Sequence, residues 1–515
     1  MTLPIDAVLP DVVAALATHR RAVLEAPPGA GKTTGVPLAL LDAPWLADRQ
    51  ILLLEPRRLA ARAAARRMAS LRGERVGETI GFAVRGETAV GPRTRVLVVT
   101  EGVLTRRLQD DPALDGVGAV LFDEFHERSL IADTGLALVL GATSVLRDDL
   151  AVLVMSATLD GARVAALLGD APRITSAGRA FPVTTRFAPP RPDARLEDHV
   201  ARTVREALAD ESGSILVFLP GAGEIRRVEE RLAGTLPSKV DLYPLHGSLP
   251  PAQQDAAIAP SPPGRRKVVL ATNVAETSLT IDGVRVVVDS GFARVPRFSP
   301  RTGMTRLETV RVTRASADQR RGRAGRTEPG VCIRCWHAAE DAGLLPDARA
   351  EILDADLAPL VLDLAAAGFT DPAELPWLDA PPPAAWQQGR DLLQLLGALD
   401  AHGRLTAHGT AMSALGTAPR LAHMLVRARD HGPASLARAA ALAALLEERD
   451  PMRGAGGPPP ADVRLRLDAL EREGDAALLG GLHVRGDAEE HGDRPDRVAD
   501  REQRDAGGDE CRLVH

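Results

Sequence analysis

The segment Ala26-Pro27-Pro28-Gly29-Ala30-Gly31-Lys32-Thr33-Thr34 lies between a short apolar run at 21–25 and a second apolar run opening at Gly35. Read outward, it is a strand, a tight glycine-rich turn and the first turn of a helix. That order makes an anion cradle, with successive backbone N–H groups pointing inward and the positive end of the helix dipole facing a phosphate. Gly29, Ala30, Gly31 and Thr34 line the cradle, Lys32 reaches the β- and γ-phosphates of a nucleotide such as ATP, and the Thr33 hydroxyl faces Mg²⁺. One residue is irregular: Ala26 stands where the strict Gly-x-x-x-x-Gly-Lys-Thr pattern has its first glycine.

Composition bears on that irregularity. The chain holds 63 lysines and arginines, yet lysine occurs only at 32, 239 and 267. In so arginine-biased a chain, a lysine kept inside a glycine turn is informative, because a compact ammonium fits a phosphate cradle better than a planar guanidinium. A length of 515 residues predicts about three or four domains. The net charge of −6 does not advertise nucleic-acid binding, but a basic cleft is compatible with an acidic exterior. Three cysteines argue against a disulfide framework and for the reducing cytoplasm. The opening Met-Thr-Leu-Pro-Ile-Asp lacks the basic and apolar regions of a secretory signal. No run of about 18 uncharged apolar residues predicts a membrane helix, and residues 130–146 read as a buried helix.

From residue 20 to about 175, short apolar runs alternate with helical segments. The runs at 51–55, 96–100, 119–123 and 152–156 have the near-continuous hydrophobicity of parallel strands buried on both faces. They end on Glu55, Thr100, Asp123 and Ser156. Ligands bind outside the carboxyl ends of such strands, so these residues should gather near the cradle. The most informative end is Asp123-Glu124-Phe125-His126-Glu127-Arg128. An acidic residue there is where a nucleotidase holds its metal. Asp123 is the candidate Mg²⁺ carboxylate, with Glu124 beside it as the base that orients and deprotonates the attacking water. His126 is placed to link this site to a neighbouring domain.

Asp123-Glu124-Phe125-His126 resembles the DEAH-box signature of superfamily 2 helicases. Ser156-Ala157-Thr158 is similar to that family's next motif, and 55–61 and Thr100-Glu101-Gly102 resemble its first-lobe nucleic-acid contacts. The alanine-bearing cradle resembles one bacterial branch, the HrpB-type ATP-dependent helicases, in which the Ala26 irregularity is ordinary. A second α/β pattern spans about 176–340, with strand-like runs at 215–219, 240–243, 267–272, 284–289 and 331–336. The expected fold is therefore α/β, with two tandem RecA-like parallel-sheet lobes (1–175 and 176–340) facing one cleft. Residues 271–281 resemble the motif coupling ATP to nucleic acid, and Gln319-Arg-Arg-Gly-Arg-Ala-Gly-Arg326 resembles the final motif.

The last motif also has its own physical logic. Phosphoryl transfer spreads charge over the γ-phosphoryl oxygens, and an inserted guanidinium is worth ~10³–10⁵ in rate where one is used. Glycines 322 and 325 let the backbone approach while Arg323 and Arg326 point into the cleft. The resemblance makes these two residues the fingers and gives Gln319 the γ-phosphate or the attacking water. It also assigns nucleic-acid backbone contacts to Arg57, Arg58, Thr100 and Thr277, nucleotide contacts to Asp282, and one face of the adenine to Arg67. The family often has an aromatic on the other face. Here the matching position is about Ile258, so weak base selectivity is expected.

Residues 294–314 read as a hairpin around Pro300-Arg301-Thr302-Gly303, where the family has a strand-separating hairpin. Only 3% of residues are aromatic, so backbone tracking should dominate over base stacking. Cys332 and Cys335 have half-site spacing for zinc or redox chemistry, but lie in a strand-like run without a second pair and read as core. Residues 341–415 resemble the family's winged helix and 416–485 its helical accessory domain. Residues 486–515 are dense in charge and glycine and are expected to be disordered. HrpB-type relatives carry a further C-terminal region, so a truncated or frame-shifted end is expected.

The resemblance implies a cytoplasmic ATP-dependent helicase acting on single-stranded or tailed nucleic acid, RNA in preference to DNA. Three rivals are a remodelling ATPase that unwinds little duplex, a catalytically impaired scaffold, and a phosphate-cradle kinase. The second lobe and its arginine motif oppose the last.

Overall fold

The computed structural model describes residues 3–157, 161–177, 181–277, 281–326, 328–447 and 462–473. Thr158, residues 278–280, the segment 448–461 and everything from 474, including the expected disordered tail, lie outside them. Among the described residues, sixteen strands run in chain order. The first lobe holds β1 (Arg21–Glu25), β2 (Gln50–Glu55), β3 (Ile80–Val84), β4 (Glu87–Ala89), β5 (Val96–Thr100), β6 (Val117–Phe122), β7 (Ala151–Ser156) and β8 (Arg173–Thr175). They form one sheet in the order β4-β3-β5-β2-β6-β7-β1-β8, parallel except where β4 folds back on β3. The second lobe holds β9 (Val183–Phe187), β10 (Ser214–Phe218), β11 (Val240–Leu245), β12 (Arg266–Ala271), β13 (Val284–Asp289) and β16 (Gly330–Arg334). Their order, all parallel, is β11-β12-β10-β13-β16-β9.

The burial of these strands explains their composition. Successive side chains of β2 serve opposite faces: Ile51 and Leu53 enter the core under the helices Leu9–His19, Lys32–Leu41 and Arg58–Arg72. Leu52 and Leu54 enter the core on the other side, with the helix Leu130–Val145. A strand covered on both faces needs apolar residues at every position. The sequence pattern also misses β3, a buried run broken by Gly81, and three strands that lack this signal. β9 is half-exposed and alternating, and β4 and β8 are three residues long.

Between β13 and β16, β14 (Phe292–Ser299) and β15 (Met304–Arg311) pair antiparallel, from Phe292–Arg311 at the base to Ser299–Met304. This is the expected hairpin. Gly303 turns its apex at φ +63°, against the Arg420 guanidinium. Its base is fixed by Arg311, whose guanidinium stacks 5.1 Å from the Phe292 ring and 5.3 Å from that of Trp336. Cys332 and Cys335 are buried, and burial raises both thiols, Cys335 to about 12. They are core residues.

Beyond β16 the chain is helical: Ala358–Ala366, Pro383–Leu395, Ala407–Ser413 and Pro419–Asp430, with an antiparallel bridge between Leu399 and Leu405. These helices have no separate core. Leu360, Leu375, Trp386, Leu393 and Met412 belong to the same buried cluster as Leu136, Val139 and Val164 of the first lobe. Residues up to Ala439 form one compact unit; a second, from Ala440, includes the helix Val463–Glu473.

Candidate active site

The turn after β1 has the conformation its glycines allow. Gly29 and Gly31 adopt φ +86° and +95°, where a side chain would be strained, and Gly31 also precedes the helix Lys32–Leu41. A Cβ at Gly31 would come within 2.7 Å of Leu3 Cδ1, so the N-terminal turn packs on the cradle. Ala26 is different. It is buried, its N–H donates to the Ser156 carbonyl at 2.9 Å, and it is not among the residues with positive φ. Alanine is therefore tolerated here, since the position needs no glycine backbone.

Asp123 and Glu124 follow β6 directly and meet this turn. Lys32 Nζ lies 3.0 Å from Glu124 Oε2 and 3.6 Å from Asp123 Oδ1, with all three side chains buried. The Thr33 hydroxyl donates to Asp123 Oδ2. Burial disfavours every one of these charges, and their mutual attraction opposes it. For Lys32, Glu124 and Asp123 prevail and the ammonium is held above its ordinary range. Burial would raise Glu124, but Lys32, His126 and Arg323 hold it down at about 2. Burial pushes Asp123 up against the pull of Lys32. Glu124 sits at φ +50°, a left-handed conformation that a glutamate adopts only when its surroundings fix it. His126 Nδ1 lies 3.5 Å from Glu124 Oε2 and accepts from the Ala157 N–H at 3.4 Å. The end of β6 is thereby joined to the end of β7.

The second lobe brings Arg323 and Arg326 to this cluster. A Cβ on Gly29 would lie 3.5 Å from Arg326 Nε, so that guanidinium rests on the cradle turn. Burial lowers Arg326 to about 10 against the attraction of Glu124. Burial and neighbouring Arg326 lower Arg323, with Glu124 again opposing. Arg323 donates through Nε and Nη2 to the Glu276 carbonyl, the first at 2.8 Å. Gln319 is buried and lines a cleft shared with His126, Glu127 and Thr277.

The expected nucleic-acid contacts divide. Arg57 donates to both Glu127 oxygens at 3.0 and 3.1 Å and to the Asn273 carbonyl, and Thr277 donates to Glu127 at 2.6 Å. Arg58 is exposed on the rim of a second inter-lobe cleft, which Arg57 and Arg62 also line. Thr100 precedes the helix Glu101–Asp110. Arg67 is exposed on the helix Arg58–Arg72, where neighbouring Arg66 pairs with Asp255 at 3.0 Å on the helix Pro251–Ile258. The helices bearing Arg67 and Ile258 therefore meet, also through Arg62 and Gln254 at 3.1 Å. Asp282 is exposed in the turn before β13, and Ala30 and Thr34 stay within the cradle segment.

The sequence pattern did not single out Glu127, Glu276 or Arg320. Arg320 is buried, donating to Glu276 at 3.0 Å and Asp289 at 2.8 Å. Position within a quoted segment was their signal; their roles were hidden because their partners are distant in the chain.

The donor set suits Mg²⁺. A hydroxyl and carboxylate oxygens meet beside a phosphate cradle, and Mg²⁺ binds through one or two carboxylates plus phosphates and water rather than in an all-protein cage. No cluster of three or more His, Cys, Asp or Glu side chains placed to hold a metal occurs among the described residues.

Two facing lobes, a cradle with adjacent acids, and arginines delivered across the cleft define a helicase core. The DEAD/DEAH box helicase family model matches residues 9–167 and the helicase conserved C-terminal domain model residues 198–328. The chain belongs to the DEAD/DEAH-box helicase family. Its relatives include the ATP-dependent RNA helicase HrpB of Escherichia coli K12, 52% identical over 447 residues, which are 87% of this chain and 55% of that protein. Two solved structures of Escherichia coli HrpB, titled a DEAH/RHA helicase and a DExH-box NTPase, align with TM-scores of 0.83 and 0.78 at 48% identity. Each alignment covers 93% of this chain, against 63% and 60% of the respective solved chains. The chain thus spans little more than half the length of the curated relative it matches. These matches bear out the resemblance carried by 26–34 and 123–126. No helix among the described residues is long and apolar enough to cross a membrane.

Proposed function

We propose that the chain is a cytoplasmic motor that hydrolyses ATP to ADP and phosphate and uses the cycle to unwind or remodel nucleic acid, RNA in preference to DNA. The observation that carries this reading is the convergence of Lys32 and Glu124 from one lobe with Arg323 and Arg326 from the other. In this reading Gly29–Lys32 hold the phosphates, and Thr33 and Asp123, with Glu124 beside them, hold Mg²⁺. When bound, that ion would supply positive charge against the phosphates. Glu124, ionised and buried, takes the proton of the water attacking the γ-phosphorus while Gln319 helps to orient it. Arg323 and Arg326 meet the charge that develops on the γ-phosphoryl oxygens. Two catalytic groups come from the second lobe, so hydrolysis requires closure, and loss of the γ-phosphate removes what holds the lobes together.

Arg57, Arg58, Thr100 and Thr277 contact the backbone of the strand, which positions it without reading sequence. Arg67 lies against the base of the nucleotide and Asp282 contributes at the nucleotide edge. With Ile258 opposite, several nucleoside triphosphates serve. The test is ATP hydrolysis with and without single-stranded RNA or DNA, alongside strand separation on a 3′-tailed duplex. The expected result is stimulated hydrolysis with unwinding. Absence of stimulation refutes the motor, and stimulation without unwinding favours a remodelling ATPase.

A further inference from the structure

Glu127 occupies two of the groups assigned above to the nucleic-acid backbone. Arg57 Nη2 donates to its two oxygens at 3.0 and 3.1 Å, and Thr277 Oγ1 donates to Oε1 at 2.6 Å. Arg57 belongs to the first lobe and Thr277 to the second, so one carboxylate spans the cleft. Two anionic oxygens offered to a guanidinium nitrogen and a hydroxyl present the kind of acceptor pair that the two free oxygens of a phosphodiester also present. We propose that Glu127 is a built-in phosphate surrogate, a positioning residue that holds Arg57 and Thr277 until the backbone of a bound strand displaces it. The inference rests on the reading of Arg57 and Thr277 as strand contacts.

The placement reaches the catalytic arginines through a short path. Thr277 follows Glu276, whose carbonyl accepts both Arg323 donors and whose carboxylate accepts from Arg320 at 3.0 Å. Arg320 also donates to Asp289 at 2.8 Å and to the Phe292 carbonyl, at the foot of the hairpin, at 3.2 Å. Whatever grips Thr277 therefore sets the position of Arg323 beside Glu124. In the strand-free protein Glu127 is that grip. An arriving phosphodiester meets a like charge on the same donors, so carboxylate and phosphate exclude one another there. Glu127 thus supports strand-free closure while opposing strand binding.

The test uses the full chain carrying Glu127→Gln, which keeps the shape and removes the charge. Binding of a fluorescent single-stranded oligouridylate is followed by anisotropy, and ATP hydrolysis is measured without the strand and at saturation. Tighter strand binding is expected, by about 3- to 10-fold, with strand-free turnover lowered by a similar factor. Strand-saturated turnover should stay within about twofold of the parent, since the phosphate then supplies the grip. Arg57→Ala should weaken binding, and in that background Glu127→Gln should add no affinity. Glu127→Asp, which keeps the charge, should retain parental affinity and serves if the glutamine variant does not fold.

Unchanged or weaker binding by Glu127→Gln, with Arg57→Ala still weakening it, overturns the surrogate and leaves the strand contacts standing. Tighter binding with unchanged strand-free turnover overturns the link to Arg323. If neither Arg57→Ala nor Thr277→Ala alters binding, the reading of these residues as strand contacts fails, and the inference with it.

Discussion

The first lobe meets its two neighbours by different physics. Towards the second lobe the side chains meet largely through polar pairs: Arg57 with the Asn273 carbonyl, Glu127 with Thr277 at 2.6 Å, Arg62 with Gln254 at 3.1 Å, and Arg66 with Asp255 at 3.0 Å, beside Leu59, which joins an apolar cluster of that lobe. Towards the C-terminal helices it shares an apolar core, in which a Cβ on Gly141 would stand 2.7 Å from Leu375 Cδ2. That second seam is pinned by buried Arg128, which donates to Asp133 at 3.0 Å and to Asp379 at 2.7 Å. Ionic contacts in a wet cleft are individually weak and exchangeable, whereas a close-packed core is stable and stiff. A motor needs one of each: a seam that opens in every cycle and a seam that carries force without yielding.

The largest effects should fall on chemistry at the polar seam. Arg323→Ala should lower strand-stimulated ATP turnover by about 10³–10⁵-fold with little loss of thermal stability. A stable variant with near-parental turnover would falsify the assignment of the finger. Lys32→Ala and Glu124→Gln should each lower turnover by at least about 10²–10⁴-fold, with the second still binding ATP in equilibrium titration. Because Glu124 is held at about 2, it should contribute no acid limb to the rate profile at any pH above ~4. A limb that appears above that pH and vanishes in Glu124→Gln would contradict this.

The apolar seam should respond in stability instead. Leu375→Ala should cost ~2–5 kcal/mol in denaturant unfolding while the turnover of the folded fraction stays near parental. If turnover collapses and stability holds, the contrast between the seams is wrong. A smaller effect is expected at Glu101, next to the polar strand end Thr100. Burial first, then Glu127, Glu351 and Asp133, raise its carboxyl to about 7 against the hydrogen bond from Ser129. A carboxyl raised on folding gives stability below its unfolded value that is lost as pH rises through the folded one. Glu101→Gln should therefore stabilise the protein at pH 8, by on the order of 1 kcal/mol, and lose that advantage near pH 4.5. Melting curves at the two pH values decide it. The smallest effect is Arg66→Ala, whose exposed pair with Asp255 should be worth less than ~1 kcal/mol. A large loss there would mean that the cleft is held more tightly than its chemistry suggests.

How much of this was legible in the chain varied with the range of the interaction. The buried parallel strands were readable because burial on both faces forces a continuous apolar run, as in Leu52-Leu53-Leu54. β9, whose burial depends on β16 at one edge, was not. The segments 26–34 and 123–124 were readable because each is a short local motif at the end of a buried strand, although the two meet only in the fold. The role of Glu127 was hidden, since its partners are 70 and 150 positions away. Nothing in residues 341–415 marks the apolar cluster that these helices share with the first lobe.

By itself, the sequence determined the two parallel sheets, the cradle at 26–34, the acids at 123–124 and the arginines at 323 and 326. Each is encoded by residues near one another in the chain, where backbone geometry and side-chain period act directly. Only the tertiary structure decided what those pieces meet: Arg326 against Gly29, Glu127 between Arg57 and Thr277, and the C-terminal helices on the core of the first lobe. Those contacts join residues distant in the chain. They depend on how whole lobes pack, which local sequence does not specify.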